Sequence, residues 1–425
     1  MTLLGQIENN YLPLAAGFSE QSVAALSSWF QHWLNGDRQV PSALLLAEDE
    51  DPALVSQQLG FEPATNNVPD DYTETFLLVR TTGSTSTPKL VALTSKAVKT
   101  SVQATHEALA GPGQWVLALP PHHIAGAMVV ARSLLAGFSP VVCARPQGNF
   151  DLDEFSKATT TALQQTRSTN TPIYTALVPR QIEQILSSSV ATASARKYQT
   201  ILVGGAAMSK QLAQEAKQAG LILVTTYGSS ETCGGCVYDR KALPGVKLKV
   251  DETGRLLINS PTLMTGYVNA STDWVTDEMG KRFLPTSDLA EIDCEGRLSI
   301  LGRADWIINT GGEKVNPLAV EARLIDHPQI TAAVVVGLPD PTWGEKVCAL
   351  IVPARQATPN TDPAQNDTTL DLRQIRDWVT TTLGKPCAPK EILLVSQVPT
   401  KGIGKLDREA AKRLARQNLP AEDSN

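Results

Sequence analysis

Short apolar, β-branched runs alternating with helical stretches constrain this chain more than any other feature. Phe76-Leu77-Leu78-Val79, Trp115 to Leu119, Thr200-Ile201-Leu202-Val203 and Leu221-Ile222-Leu223-Val224 read as strands. Between them, Ser95 to Leu109 reads as a helix with Ser95 at its N-cap, and Ser209 caps another. Strands alternating with helices build an α/β sheet, and such sheets take ligands at the loops beyond their strand ends. From Val246 the pattern turns to short strands and turns, as in a small β subdomain. After Gly302 a compact α+β module is expected, with strands at Ile330–Leu338 and Lys346–Val352 and helices around Pro317–Asp326 and Leu370–Leu383. The polar stretch Ala354–Thr369 reads as a surface loop. The boundary is set near Arg303–Asp305, giving a large N-terminal domain, 1–302, and a small mobile C-terminal domain, 303–425.

A chain of 425 residues that is 42% hydrophobic is long enough for two or three cores. Its net charge of −6 argues against nucleic acid as the main partner. The N-terminus has no basic start followed by an apolar run, and the longest apolar stretch, Ile124 to Phe138, is short and interrupted by Arg132. No membrane span is therefore expected, and a cytoplasmic location follows. Assembly into a homo-oligomer stays open. Cys233-Gly-Gly-Cys236 has the spacing of a zinc or redox half-site, but no second pair is placed to complete it. The two read as reduced thiols beside a glycine turn.

Five further segments carry chemistry. Thr81-Thr82-Gly83-Ser84-Thr85-Ser86-Thr87-Pro88-Lys89 follows the strand at 76–79. Hydroxyls, backbone N–H groups, a turning glycine and a lysine suit a polyphosphate, although the Walker spacing is absent. Tyr227-Gly228-Ser229-Ser230-Glu231-Thr232 follows the strand at 221–224. Glu231 there is a candidate Mg²⁺ ligand, since that ion takes one or two carboxylates together with phosphate oxygens. In Thr286-Ser287-Asp288, the Asp288 carboxylate can accept hydrogen bonds from ribose hydroxyls. Gly302-Arg303-Ala304-Asp305 precedes a glycine turn at Gly311-Gly312, and Lys405 ends the glycine loop Thr400-Lys401-Gly402-Ile403-Gly404-Lys405. Each alone is also what an ordinary turn or a solvated charge looks like.

Taken in order, these segments resemble the adenylate-forming family of acyl-CoA synthetases, luciferases and peptide-synthetase adenylation domains, from Thr81 to Lys405. The chain departs from the family pattern at Ser86 and Leu90, where glycines are usual, at Ser230 for threonine and at Ser287 for glycine. Serine at 86 resists the positive φ that glycine allows. The resemblance implies ATP, Mg²⁺ and coenzyme A as ligands. It implies that Lys405, Lys89 and His123 are catalytic, and that Thr81, Thr82, Gly83, Ser84 and Thr85 hold the phosphates. Gly204, Gly205, Ala206, Tyr227, Gly228 and Ser230 would line the nucleotide, Asp288 and Arg303 the ribose, and Gly311 and Gly312 the pantetheine. Glu231 would bind the metal and Asp305 would be the hinge.

His123 and Ser229 are expected to border the acid, together with Arg132, which sits in the apolar run Ala127 to Leu135. A buried arginine needs an anionic partner, which a carboxylic acid substrate with a second carboxylate supplies. This local pattern is similar to the branch of the family that joins o-succinylbenzoate, a dicarboxylate, to coenzyme A. Arg132 snorkelling to solvent or pairing with a protein carboxylate is the competing reading. A ligase for another acid, an enzyme loading a carrier protein, and a nucleotide-binding protein impaired at Ser86 remain as alternatives.

Overall fold

The computed structural model describes residues 11–36, 41–59, 74–81, 88–145, 149–354, 371–401 and 405–418. Two compact units divide the chain. The first comprises 1–249, 257–285 and 294–298, and the second comprises 250–256, 286–293 and 299–425.

In the first unit, the strands Tyr11–Ala15, Ser42–Leu46 and Thr75–Arg80 run parallel, and Leu90–Thr94 and Gly266–Tyr267 complete the sheet antiparallel. Trp29, Phe30 and Trp33, on the helix Glu20–Leu34, pack on Phe76, with Trp29 stacked on it at 4.6 Å between centroids. A second, seven-stranded sheet has Leu223–Ser229, Thr200–Val203, Ile173–Leu177, Gln114–Leu117 and Val141–Val142 in that order, all parallel. Gly234–Tyr238 and Lys241–Ala242 are added antiparallel at the edge beside Leu223–Ser229. The core against its helices includes Val116, Phe155, Tyr198, Ile201 and Val203, all buried. Burial of each large side chain contributes roughly 1.5–3 kcal/mol.

The expected α/β pattern is present, with local differences. The helix after the first hairpin is Ser95–Ala108, but its cap is Thr94, whose hydroxyl accepts from the Ala97 N–H at 3.1 Å. Ser209 caps the helix Lys210–Gln218 as read from the sequence. The strand placed at Trp115–Leu119 is Gln114–Leu117. The strand placed at Leu221–Val224 is Leu223–Ser229, so Tyr227, Gly228 and Ser229 end a strand rather than following one. Ile222 points out, 54% exposed, which is why an apolar run misplaced the start. From Lys247 the strands Lys247–Val250, Arg255–Asn259, Val275–Thr276, Arg282–Ile292 and Leu298–Arg303 pair in one further sheet, as the sequence suggests, although Arg282–Ile292 is long at 11 residues.

The second unit holds the strands Ile330–Asp340 and Gly344–Pro353 as a long hairpin, joined by Ile308–Thr310, Glu313–Val315 and Glu391–Leu394. The helices Pro317–Ile325 and Leu372–Leu383 cover one face and Arg408–Asn418 the other. Apart from Ala354, the loop expected at 354–369 lies outside the described residues. Arg408 is fixed by the carboxylate of Glu321 (Nη1–Oε1 2.5 Å, Nη2–Oε2 2.7 Å) and by the Val335 carbonyl at 2.7 Å. Burial pushes the Glu321 carboxyl up, opposed by Arg408 and by the Val335 N–H at 2.7 Å.

Arg408→Met leaves Glu321 buried without its cation and costs about 3–5 kcal/mol. Urea denaturation followed by tryptophan fluorescence should show it, and replacing both residues by leucine should recover most of the loss. A double variant as unstable as the single one would refute this account.

Candidate active site

The hairpin Thr75–Arg80 and Leu90–Thr94 closes at Thr81 and Lys89. The Thr81 N–H donates to the Lys89 carbonyl at 2.8 Å, and the Lys89 N–H returns a bond to the Thr81 hydroxyl at 3.2 Å. These two residues therefore form the neck of the expected phosphate loop. Thr82, Gly83, Ser84, Thr85 and the departure Ser86 lie outside the described residues. Asn269 clamps the neck, accepting from the Leu90 N–H at 2.7 Å and donating to the carbonyls of Pro88 at 3.0 Å and Leu59 at 3.2 Å. Sequence reading missed Asn269, because an asparagine in a turn has no signal of its own.

The Lys89 ammonium sits over the Tyr267 ring, 4.6 Å from its centroid. The Tyr267 hydroxyl donates to Glu231 Oε1 at 2.7 Å. Burial first, and then the Glu231 charge, hold the phenol well above its ordinary pKa, so it stays a proton donor. Lys89 and Glu231 are thus brought together through a residue the sequence reading did not identify. Glu231 lies on the short turn Ser230–Thr232, which Thr232 shapes by accepting from the Ser229 N–H at 2.8 Å and donating to the Gly234 carbonyl at 2.7 Å. Gly228 is required here: a Cβ would overlap the carbonyl of Gly234 on the paired strand. Glu231 Oε2 has no hydrogen-bond partner among the described residues. A half-buried carboxylate beside a lysine and a phosphate-loop neck fits a Mg²⁺ ion that shares phosphate oxygens.

Gly204, Gly205 and Ala206 follow the strand Thr200–Val203, with the Gly204 N–H donating to Leu177 at 3.2 Å. They lie at the carboxyl end of the parallel sheet, next to the strand that ends in Tyr227 and Ser229. His123 caps the helix Ile124–Leu135 at the same end, beyond Gln114–Leu117. Its ring lies 4.2 Å from that of His122, which burial holds below its ordinary pKa.

Arg132 lies nine residues further along this helix, about 13 Å by helical rise. It is 3% exposed. Its guanidinium lies over Trp115 at 5.2 Å, and its buried Nε has no hydrogen-bond partner. Among the described residues no carboxylate pairs with it. Its charge helps to lower the pKa of His106 after burial, and pulls against the burial that raises Cys233, the residue after the Ser230–Thr232 turn. Among the described residues, Arg132 is thus buried and has no carboxylate partner.

In the second unit, the Arg303 guanidinium makes two bonds to Asp305, at 2.9 and 2.8 Å, and approaches Asp288 at 3.7 Å. Trp306 takes Arg303 at 5.3 Å and Arg408 at 4.4 Å over its ring. Gly311 and Gly312 form the two-residue turn of the hairpin Ile308–Thr310 and Glu313–Val315, with φ of +60° and +83°. Two successive positive φ values make glycine the residue of choice. Lys405 pairs by its backbone with Lys401, three residues before Arg408.

Cys233 and Cys236 are buried free thiols, and burial pushes Cys236 up to about 11. Among the described residues no three His, Cys, Asp or Glu side chains cluster as a metal site. No helix among them is long and apolar enough to cross a membrane.

Residues 31–268 match the model of the AMP-binding enzyme family, and 319–405 that of the AMP-binding enzyme C-terminal domain. A probable 2-succinylbenzoate–CoA ligase of Mycobacterium tuberculosis is 37% identical over 382 residues, covering 88% of this chain and 94% of that protein. A 2-succinylbenzoate–CoA ligase of Enterococcus faecalis is 27% identical over 364 residues, covering 80% and 69%. The solved structure of wild-type E. coli MenE, bound to a phenylether-linked analogue of OSB-AMS, shares the fold with a TM-score of 0.68 at 20% identity, over 97% of this chain and 90% of that one. The two family models match in chain order, and the chain is a member of the AMP-binding enzyme family.

Proposed function

We propose that this chain is an AMP-forming acid–CoA ligase whose acid is o-succinylbenzoate. The observation that carries the substrate is Arg132, a buried guanidinium with no carboxylate partner among the described residues, on the helix whose N-cap position is His123. An unpaired buried charge is costly, and a second substrate carboxylate would relieve that cost in bidentate geometry. The 37% identical relative bears the name of a ligase for this same dicarboxylate. Acid, ATP and CoA are all soluble, which suits a cytoplasmic reaction.

In the first half-reaction a carboxylate oxygen attacks the α-phosphorus of ATP, and the bond to the β-phosphate oxygen breaks to release pyrophosphate. Charge develops on phosphate oxygens, so the site needs cations and hydrogen-bond donors rather than a covalent nucleophile. Lys89 and Thr81, with Thr82 to Thr85, would hold the leaving pyrophosphate, and Glu231 would hold Mg²⁺. That ion, when bound, neutralises phosphate charge. Lys405 would bridge the carboxylate and the α-phosphate. Asp288 and Arg303 would fix the ribose, while Gly204 to Ala206, Tyr227, Gly228 and Ser230 line the nucleotide and His123 and Ser229 border the acid. In the second half-reaction the CoA thiol attacks the acyl carbon and AMP leaves. Asp305 would act as the hinge between domains 1–302 and 303–425, with Gly311 and Gly312 lining the pantetheine.

Pyrophosphate release with ATP, Mg²⁺ and o-succinylbenzoate, followed by mass detection of the thioester after CoA is added, tests the reading. Release with other acids but not this one would keep the ligase and discard the substrate. No release with any acid would discard both.

Lys405→Ala should slow adenylate formation about 10²–10³-fold, as for loss of one electrostatic stabiliser. Thioester formation from pre-made adenylate should be largely spared. Equal losses in the two half-reactions would remove Lys405 from its assigned role.

Arg132→Ala should raise KM for the dicarboxylate about tenfold or more, since a hydrogen-bonded charge pair is lost. A monocarboxylate lacking the second acid group should be little affected. Equal changes for both acids would take Arg132 out of the acid pocket.

A further inference from the structure

Lys89 and Glu231 carry opposite charges and touch the same side chain, yet do not pair with each other among the described residues. Tyr267 is fixed between them by its backbone. Its strand pairs with Leu90–Thr94, Gly266 against Ala92 and Tyr267 against Val91. The Thr265 N–H donates to the Ala92 carbonyl at 2.9 Å, and the Met264 N–H to the Glu231 carbonyl at 2.8 Å. The segment that carries the tyrosine is therefore stitched both to the strand after Lys89 and to the turn bearing Glu231.

A lysine and a glutamate that share one neighbouring side chain could instead form an ion pair, and in doing so would neutralise each other. A ring face attracts an ammonium without neutralising it. A phenol bonded to one carboxylate oxygen leaves the other oxygen and the negative charge in place. We propose that Tyr267 is a positioning residue that holds Lys89 and Glu231 apart, so that the cation stays available to the triphosphate and the carboxylate to its divalent ion. This rests on the reading of Lys89 and Glu231 as groups that serve ATP and its metal.

Tyr267→Phe keeps the ring under Lys89 and deletes the hydroxyl, whereas Tyr267→Leu removes both contacts. Two readouts on the full chain separate the possibilities. One is pyrophosphate release titrated with Mg²⁺ at saturating ATP and acid. The other is Mn²⁺ binding in the presence of ATP without acid, followed by electron paramagnetic resonance. Tyr267→Phe should raise the Mg²⁺ needed for half-maximal rate, and the Mn²⁺ dissociation constant, about five- to tenfold, a larger change than the fall in plateau rate. Tyr267→Leu should add a rise in KM for ATP as Lys89 loses its perch. Glu231→Gln should weaken cation binding in the same way, and adding Tyr267→Phe to it should bring no further change.

If Tyr267→Phe slows the reaction equally at every Mg²⁺ concentration and leaves Mn²⁺ binding unchanged, while Glu231→Gln weakens it, the tyrosine only packs and the proposal is overturned. If neither variant changes cation binding, Glu231 does not hold the ion, and the reading beneath the proposal falls with it.

Discussion

Two opposite charges separated by one tyrosine are the constraint around which the first unit's candidate site is arranged. The Lys89 ammonium and the Glu231 carboxylate come from a hairpin and from a turn at the end of the parallel sheet, and the strand Gly266–Tyr267 brings them within one side chain of each other. Asn269, two residues on, closes the neck of the loop from the same segment. Each such hydrogen bond contributes only about 0.5–1.5 kcal/mol net. Their larger effect is geometric: a short strand from one part of the chain fixes the distance between two groups from two others.

That arrangement explains which residues could be read from the sequence. Thr81, Lys89 and Glu231 stand in local patterns, a hydroxyl-rich loop and a Tyr-Gly-Ser-Ser-Glu run, and local patterns survive without knowledge of the fold. Tyr267 and Asn269 carry no such mark, because their partners lie 36 and about 180 residues away. The strand bounds differ most at Leu223–Ser229. Leu223–Ser229 reads as half polar because Thr225, Thr226 and Tyr227 are only partly buried near the ligand end of the sheet, whereas the interior strand Thr200–Val203 is wholly buried and was read without error. Apolar patterning reports burial, so it fades where a strand enters a site.

Arg132 was legible for the opposite reason. A charge inside an apolar helical run breaks the pattern and demands a partner, and the described residues supply the Trp115 face but no carboxylate. The tryptophan orients the guanidinium and shields it from water without cancelling its charge. The Tyr267 ring treats Lys89 in the same manner, so two cations assigned to anionic ligands are both held by aromatic faces. An aromatic face is a suitable holder where the charge must stay available, since a carboxylate would have to be displaced before a ligand could bind.

The second unit uses the other solution. Arg408 is given both a carboxylate and a tryptophan face, from Glu321 and Trp306, and is thereby fully consumed within the protein. A buried ion pair adds little net stability compared with an apolar core, but breaking it is costly and its geometry is specific. Such a pair suits the fixing of one element against another. Here it roots the helix Arg408–Asn418 three residues after Lys405, while Trp306 also carries Arg303, which is bonded to Asp305. Under the proposed two-step reaction, a lysine that serves one half-reaction and not the other needs a stiff body to carry it. The Glu321–Arg408 pair and the shared Trp306 fix Arg408, three residues after Lys405, and Arg303, two residues before Asp305, within this one unit.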